Sequence, residues 1–144
     1  MSRINRAQFE RLMHEQLPFA VDMGVQIDAL ERDRVVVLAP FSAQSLRPGG
    51  TISGPTMMGL ADVALYALVL AQVGLEPLAV TTSLNMNFLR KPAPADLLAV
   101  ARPLKVGKRL VVGEVSLYTA EDLQRCLAHA TGTYSVPPLE TDHV

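Results

Sequence analysis

One acidic side chain, Asp62, lies within an almost wholly apolar segment that runs from Met57 to Val73. A buried carboxylate without a partner is costly and tends to take up a proton, so Asp62 should face a cleft or meet a hydrogen-bond donor. Helical spacing offers one donor, Tyr66, four residues further on. An acid placed in this way can attack a carbonyl carbon or activate a water molecule.

The start of the same segment supplies a second chemical group. Ser53 is a favoured N-cap, Pro55 suits the first helical turn, and Gly74 stands where a glycine commonly follows a helix. Free N–H groups at a helix start attract an anion. Because proline has no N–H, Gly54 is the expected donor to a carbonyl oxygen or a developing oxyanion.

Asp62 and Gly54 are eight residues apart, which is about 12 Å along a helix axis. Two chains with antiparallel helices about a two-fold axis would close this distance, and Gly59 would permit the helices to approach. The resulting site suits hydrolysis of a reactive acyl group such as a thioester. The same residues also fit a non-catalytic interpretation, in which Asp62 is a structural buried acid and Ser53-Gly54-Pro55 is only a helix cap. The spacing alone does not distinguish the two interpretations.

The remaining chain predicts a sheet around this helix. Periodicity predicts a first helix, and runs of apolar and β-branched residues separated by short turns predict antiparallel strands. A helix that is apolar on nearly all sides must be covered all round. We therefore expect an α+β fold in one domain, residues 1–144, with an antiparallel sheet curled around one long central helix. The predicted helix is Arg6–Gln16, the strands are Val21–Leu30, Arg34–Phe41, Leu78–Leu89, Asp96–Val106, Arg109–Thr119 and Gln124–Val136, and a loop covers Ala43–Ile52.

The composition argues against several classes of function. The 144 residues carry a net charge of −1, so there is no basic excess for nucleic acid or an anionic membrane. The segment Met57–Val73 is the membrane candidate, but Asp62 would cost about 2.5–3.5 kcal/mol within the hydrocarbon. The single cysteine, Cys126, fits a reducing cytoplasm and is expected in the core. The N-terminal residues lack the pattern of a signal peptide, which also favours a cytoplasmic protein.

Metal and cofactor sites are not predicted. The three histidines, His14, His129 and His143, are far apart and lack metal-ligand spacing. No phosphate loop, dinucleotide fingerprint or zinc motif occurs in the sequence. We therefore expect no metal and no cofactor.

Three segments resemble hotdog-fold acyl-CoA thioesterases of the PaaI-like type, which are similar to 4-hydroxybenzoyl-CoA thioesterases. They are RPGGTISGPTMMGLAD, VTTSLNMNFLRKP, and GKRLVVGEVSLY with AHATGTYSV, and they span about Arg47 to Val136. The resemblance implies a hotdog fold, with sites at the interface of a homodimer or a dimer of dimers. It implies hydrolysis of an acyl-CoA thioester, with Asp62 as nucleophile or base and Gly54 as oxyanion donor.

The sequence departs from the family pattern at the helix start. His-Gly-Gly is frequent there in the family, whereas this chain has Ser53-Gly54-Pro55, and Arg47 stands where a polar residue such as Asn is common. Arg47 could bind a carboxylate or phosphate, or pair with Asp62 across the interface. A non-catalytic acyl-CoA-binding domain therefore stays open as an alternative. A hotdog hydratase or dehydratase ranks lower, because no His lies near Asp62 in the sequence.

The resemblance also implies contacts for the two ends of the substrate. The phosphates of CoA need cations, and strand ends carry basic residues that would equally suit a solvated surface. The candidates are Arg90, Lys91, Lys105, Lys108 and Arg109. Candidates for binding the rest of the substrate are Ser53, Arg47, Thr81, Thr82 and Met58, with Thr81 or Thr82 placing a hydroxyl near the acid.

Overall fold

A computed structural model describes residues 1–138 as three α-helices, one short 3₁₀ helix at Ala43–Ser45 and eight strands. Six strands form one antiparallel sheet in the order β1-β2-β6-β7-β8-β5, and β3 pairs with β4 in a small hairpin. The helices are α1 (Arg6–Gln16), α2 (Pro18–Asp22) and α3 (Gly54–Val73), and the strands are β1 (Gln26–Leu30), β2 (Val35–Ala39), β3 (Leu46–Arg47), β4 (Thr51–Ile52), β5 (Val80–Phe88), β6 (Leu97–Val106), β7 (Leu110–Thr119) and β8 (Ala128–Ser135).

Helix α3 is the centre of the fold, and its predicted boundaries are confirmed. The Ser53 side chain accepts a hydrogen bond from the Thr56 N–H, and Gly74 follows the helix with a φ of 96° that favours glycine. Thirteen of its twenty residues are buried, mostly against the sheet. Within residues 1–138, α3 is also the one helix long and apolar enough to cross a membrane, and its burial accounts for that composition.

Two paired glycines let α3 lie close to the sheet. Gly113 on β7 is directly opposite Gly132 on β8. A Cβ atom at Gly132 would lie 2.5 Å from Leu65 Cδ1, and one at Gly113 would lie 2.8 Å from Leu68 Cδ2. Both leucines are fully buried on the helix, so there is no free space to receive an added methyl group.

Several predicted boundaries are wrong. Val21 belongs to helix α2 rather than to the first strand, because Pro18 starts a second helix as well as ending the first. The last strand begins at Ala128, and Cys126 precedes it as a half-buried residue rather than a core residue. The Asp122 carboxylate accepts from the Gln124 N–H at 3.1 Å, which turns the chain before the strand can start. The predicted loop 43–52 contains the β3–β4 hairpin.

The alternating, mainly apolar residues of the predicted strand Leu78–Leu89 indicate a side that faces a core, but β5 exposes most of that side. Only Leu84 and Met86 pack partly against the core, whereas Leu78, Val80 and Phe88 are exposed. The register of β5 against β8 shifts between Thr81 and Ser83, so Leu78 and Val80 do not share the side on which Leu84 and Met86 pack against the core.

Replacing Gly132 by Ala should destabilise the protein, because the methyl group would overlap the buried Leu65 side chain. Overpacking of this kind costs about 1–3 kcal/mol, which urea denaturation followed by circular dichroism would measure. The neighbouring Thr131 is exposed on the other side of the same strand, so Thr131→Ala is the matched control. Equal stabilities of Gly132→Ala and Thr131→Ala would show that the close approach of helix and sheet is not constrained there.

Candidate active site

The Asp62 carboxylate is held through one of its two oxygens. The Tyr134 hydroxyl donates to Asp62 Oδ1 at 2.6 Å, and the Thr81 hydroxyl donates to the same oxygen at 2.8 Å. Tyr134 also donates to the Asp62 carbonyl oxygen at 3.1 Å. Among residues 1–138, Oδ2 has no hydrogen-bond partner. The second oxygen is therefore available to a substrate or a water molecule.

The register of the sheet places both donors. Thr81 on β5 is directly opposite Tyr134 on β8, so the two hydroxyls meet the same point of α3. The register shifts between Thr81 and Ser83, which marks an irregularity in the strand beside the acid. The Thr82 hydroxyl instead donates to the Thr133 carbonyl oxygen at 3.1 Å. Of the two predicted threonines, Thr81 contacts the acid and Thr82 is directed elsewhere.

Tyr134 remains a donor under ordinary conditions. Burial raises its pKa well above the usual value for tyrosine, and the nearby Asp62 charge and the hydrogen bond to Asp62 raise it further. Tyr134 is absent from the predicted site residues. A signal was present in the sequence, because it follows Ala128, Ala130 and Gly132 on the inward side of β8. A buried tyrosine hydroxyl on such a face needs a partner.

Tyr66 is not the donor to Asp62, which corrects the prediction from helical spacing. Its hydroxyl donates to the Pro77 carbonyl oxygen at 2.9 Å, and burial raises its pKa. The side chain crosses to the segment before β5 rather than turning back along α3. The acid is therefore satisfied by the sheet and not by its own helix.

Asp62 opens into a cavity of about 280 Å³, which we call the Asp62 cavity. Its walls come from the end of α1, from α2, from α3 and from the segment that leads into β5. Most of the walls are apolar or aromatic. The lining residues are Leu17, Phe19, Asp62, Val63, Tyr66, Pro77, Ala79, Val80, Thr81 and Tyr134.

Gly54 opens into a different cavity, of about 510 Å³, which we call the Gly54 cavity. Three predicted cations, Arg47, Arg90 and Lys91, line it beside the helix start, together with Phe88. A neighbouring cavity of about 500 Å³ shares Arg90 and Lys91 and adds Arg125, a residue that sequence reasoning missed. The helix start therefore faces a region of positive charge, whereas Asp62 does not.

The other predicted carrier contacts lie at the far end of the molecule. Lys108 and Arg109 line a cavity beside Gln72 at the end of α3, roughly 27 Å from Gly54 along a helix of this length. Lys105 is exposed near the same turn. Within one chain, the predicted cluster of five cations is thus divided. Of these five residues, Arg90 and Lys91 lie beside Gly54.

Two further predicted residues at the helix start have clear positions. Ser53 caps α3, and its hydroxyl lies 2.8 Å from that of Thr56. Met58 is 39% exposed and lines neither the Asp62 cavity nor the Gly54 cavity. Its place on the first turns of α3 leaves it open to a neighbouring surface.

The described histidines lie away from both cavities. His129 pairs with Glu114 at 3.1 Å on partly exposed positions of β8 and β7. His14 lies in the last turn of α1, and His143 lies outside the described residues. Over residues 1–138, no group of three or more His, Cys, Asp or Glu side chains could hold a metal ion.

Comparison with known proteins identifies the class. The model of the Thioesterase superfamily matches residues 49–126, more than half of the chain, and this range includes Gly54, Asp62 and Thr81. The chain belongs to the thioesterase superfamily, and it is a thioester hydrolase with the hotdog fold. The predicted fold class and the predicted hydrolase activity are confirmed.

Individual relatives agree with this family. The chain is 41% identical to a "putative thioesterase" from Silicibacter sp. TM1040, with a TM-score of 0.85 over 96% of this chain and 95% of that one. It is 26% identical to the E. coli PaaI protein from the phenylacetic acid degradation operon, with a TM-score of 0.79 over 92% and 93%. It is also 24% identical to the "putative esterase ComA2" of Bacillus subtilis, over 76% of this chain and 87% of that one. The predicted PaaI-like type is therefore confirmed.

Replacing Tyr134 by Phe should make the free energy of unfolding fall less steeply as the pH rises above about 10. The folded pKa of Tyr134 lies above its unfolded value of about 10. The unfolded chain therefore releases a proton that the folded chain keeps, and the free energy of unfolding falls as the pH rises above about 10. One such tyrosine contributes a slope of up to about 1.4 kcal/mol per pH unit.

Urea denaturation of wild type and Tyr134→Phe at matched protein concentration, from about pH 9 to 11, measures this slope. The variant should start with lower stability, because a buried hydrogen bond is lost, and then decline less steeply. Tyr66 is retained in both proteins and contributes equally to both curves. If the free energies of unfolding of the two proteins fell in parallel with pH, this would contradict the conclusion that Tyr134 is buried and keeps its proton in the folded state.

Proposed function

We propose that the protein is a homodimer that hydrolyses acyl-CoA thioesters at two identical sites, each built from Asp62 of one protomer and Gly54 of its partner. One observation carries the proposal: the Asp62 carboxylate is fixed through Oδ1 by two hydroxyls, while Oδ2 is left without a partner beside an apolar cavity. Such an oxygen is oriented and available for chemistry on a bound acyl carbon.

The proposed reaction uses the two groups in distinct roles. Asp62 either attacks the thioester carbon directly or removes a proton from an attacking water molecule. The carbonyl oxygen gains negative charge and is stabilised by the Gly54 N–H, which as the first residue of α3 has no acceptor within the helix. When water attacks, its oxygen forms the new carbon–oxygen bond, the carbon–sulfur bond breaks, and the departing thiolate takes the proton that Asp62 removed. When Asp62 attacks, CoA leaves as a thiolate that takes a proton from water, and a water molecule hydrolyses the acyl-Asp62 anhydride to the free acid. No metal or cofactor enters this scheme.

The proposed dimer rests on the edge of the sheet. Strand β5 ends the sheet with unpaired backbone groups, and its first and last residues, Val80 and Phe88, are exposed, as is Leu78 just before it. An exposed apolar edge strand is a ready site for pairing with another chain. Pairing of two β5 strands about a two-fold axis would also bring the two α3 helices side by side. Further pairing of such dimers, as the family resemblance implies, would give a dimer of dimers.

The proposed binding site for CoA is the Gly54 cavity. Arg47, Arg90 and Lys91 there can meet phosphate groups, and Arg125 extends the positive charge beyond them. The Arg90 guanidinium donates to the Cys126 carbonyl oxygen at 2.6 Å, which holds the side chain in place. The apolar Phe88 and Leu89 line the same cavity, and the Phe88 ring lies beside Gly54, so they can contact the arm that carries the thioester.

The alternative of a hydratase or dehydratase receives no support from the site. Such chemistry was expected to use a histidine together with the acid. Among residues 1–138, no histidine lines the Asp62 cavity or the Gly54 cavity. His129, the histidine on the sheet, is engaged with Glu114.

Asp62→Asn should fold normally and lose thioester hydrolysis. The amide has nearly the same shape but cannot serve as a base or carboxylate nucleophile, so kcat should fall by roughly 10²–10⁴. Release of free CoA from a panel of acyl-CoA esters, followed with a thiol reagent, measures the loss. Asp28 is exposed on β1, and Asp28→Asn is the matched control. A fully active Asp62→Asn enzyme would remove Asp62 from the chemistry.

A mixing experiment tests whether the site spans two protomers. Gly54→Pro removes the proposed donor, and proline is tolerated at the first position of a helix. When Asp62→Asn and Gly54→Pro chains are unfolded together and refolded, half of the dimers should be mixed, each with one intact site. Activity should then recover to about a quarter of the wild-type value.

Two comparisons make the mixing experiment specific. Gly54→Ala keeps the N–H and adds a methyl group at ordinary contact distance from Phe88, so it should retain more activity than Gly54→Pro. Each inactive chain refolded alone should stay inactive. A mixture that recovers nothing, although it forms mixed dimers, would place both groups of each site within one chain.

A further inference from the structure

We infer that the Asp62 cavity receives the acyl group and that this acyl group is uncharged and largely apolar, an inference that rests on the proposed function. The two cavities differ in charge. Arg47, Arg90 and Lys91 line the Gly54 cavity, whereas no described Lys or Arg lines the Asp62 cavity. A CoA ester has a highly charged carrier and an acyl end joined at the thioester carbon, so the charged half belongs with the cations and the acyl half beside Asp62.

A second carboxylate would have no counter-ion in the Asp62 cavity. Asp62 is the one charged residue among those that line it. The anion of a dicarboxylic acyl group would therefore be repelled by Asp62 and would lose its water. Acyl groups that end in a carboxylate, such as succinyl and glutaryl, should be poor substrates for this reason.

The three hydroxyl donors of the cavity wall are already engaged. The Tyr66 hydroxyl donates to Pro77, and the hydroxyls of Tyr134 and Thr81 donate to Asp62. These donors are used within the protein, so they offer little to a polar substituent on the acyl group. The remaining wall, which includes Leu17, Phe19 and Val63, favours hydrocarbon.

Phe19 is the residue we assign to specificity. It lies on α2 at the wall of the cavity and is 45% exposed, so it can be replaced by a charged residue without burying that charge completely. Phe41 is 42% exposed but is not part of this wall. A substitution at Phe41 therefore introduces the same new residue at a similarly exposed phenylalanine that does not line the Asp62 cavity.

The experiment compares kcat/KM for hexanoyl-CoA, phenylacetyl-CoA, succinyl-CoA and glutaryl-CoA. Wild type should prefer the two uncharged esters by roughly tenfold or more, because the dicarboxylic esters place a second anion near Asp62. In Phe19→Arg, the ratio of kcat/KM for the uncharged esters to kcat/KM for the dicarboxylic esters should fall by roughly tenfold relative to wild type, since the arginine supplies a cation beside the acyl group. Phe41→Arg should leave the preference unchanged, and Phe19→Leu should keep the preference for uncharged esters.

The outcomes separate this inference from the proposed function. If wild type hydrolyses charged and uncharged esters equally well, the assignment of the acyl group to the Asp62 cavity is overturned while the thioesterase activity stands. If Phe19→Arg and Phe41→Arg change the preference equally, the role of Phe19 is overturned in the same way. A wild-type protein that releases CoA from none of the esters overturns the proposed function and this inference together.

Discussion

The structure depends on how one carboxylate is accommodated in an apolar helix. Helix α3 is buried on nearly all sides, and it carries a single acid. The donors for that acid come from two strands, because Thr81 on β5 and Tyr134 on β8 are paired in the sheet. A shift of β5 against β8 by one residue would turn the Thr81 side chain to the opposite face of the sheet, away from Asp62 and Tyr134. The pairing of β5 with β8 therefore sets the chemistry of α3.

The same pairing constrains the packing. Gly132 lies two residues before Tyr134 on the inward side of β8, and its lack of a side chain makes room for Leu65, which is three residues after Asp62. The helix can thus approach the sheet closely enough for a short tyrosine–carboxylate hydrogen bond. The close approach of helix and strand at the glycine and the hydrogen bond at Asp62 are neighbouring parts of one interface.

The sequence was sufficient for features that depend on neighbouring residues. The cap at Ser53, the end of α3 before Gly74, and the strand-like runs bounded by short turns that predict β6 and β7 are local signals, and the helix and strands they predict are present. The choice of Asp62 and Gly54 as candidate site residues follows from type and spacing, and their catalytic roles stay predictions. The exposure of β5 could not be seen, because alternation shows that a strand has two different sides but not which of them is covered.

The contacts of the site were harder to predict because they join distant parts of the chain. Tyr134 is 72 residues from Asp62, so no helical or strand period relates them. The positions of the carrier candidates were hard to foresee for a similar reason: Arg90 and Lys108 both follow strand-like segments, yet the fold puts them beside opposite ends of α3, and their roles in binding CoA stay predictions. Charge type alone carries no information about which end of a helix a residue will reach.

If the site is divided between two cavities, the CoA carrier and the acyl group of the substrate would be recognised by different parts of the protein. In the proposed dimer, cations beside Gly54 bind the part that every CoA ester shares, so they would contribute equally to all substrates and to their transition states. In that proposal the wall beside Asp62 would contact only the acyl group, which is the part that varies. Selection among acyl groups would then depend on α2 and on the segment before β5, which lie outside the helix–sheet interface that fixes the acid. Residues such as Phe19 could change without disturbing Tyr134 or Thr81, and the same catalytic arrangement could serve different acyl groups.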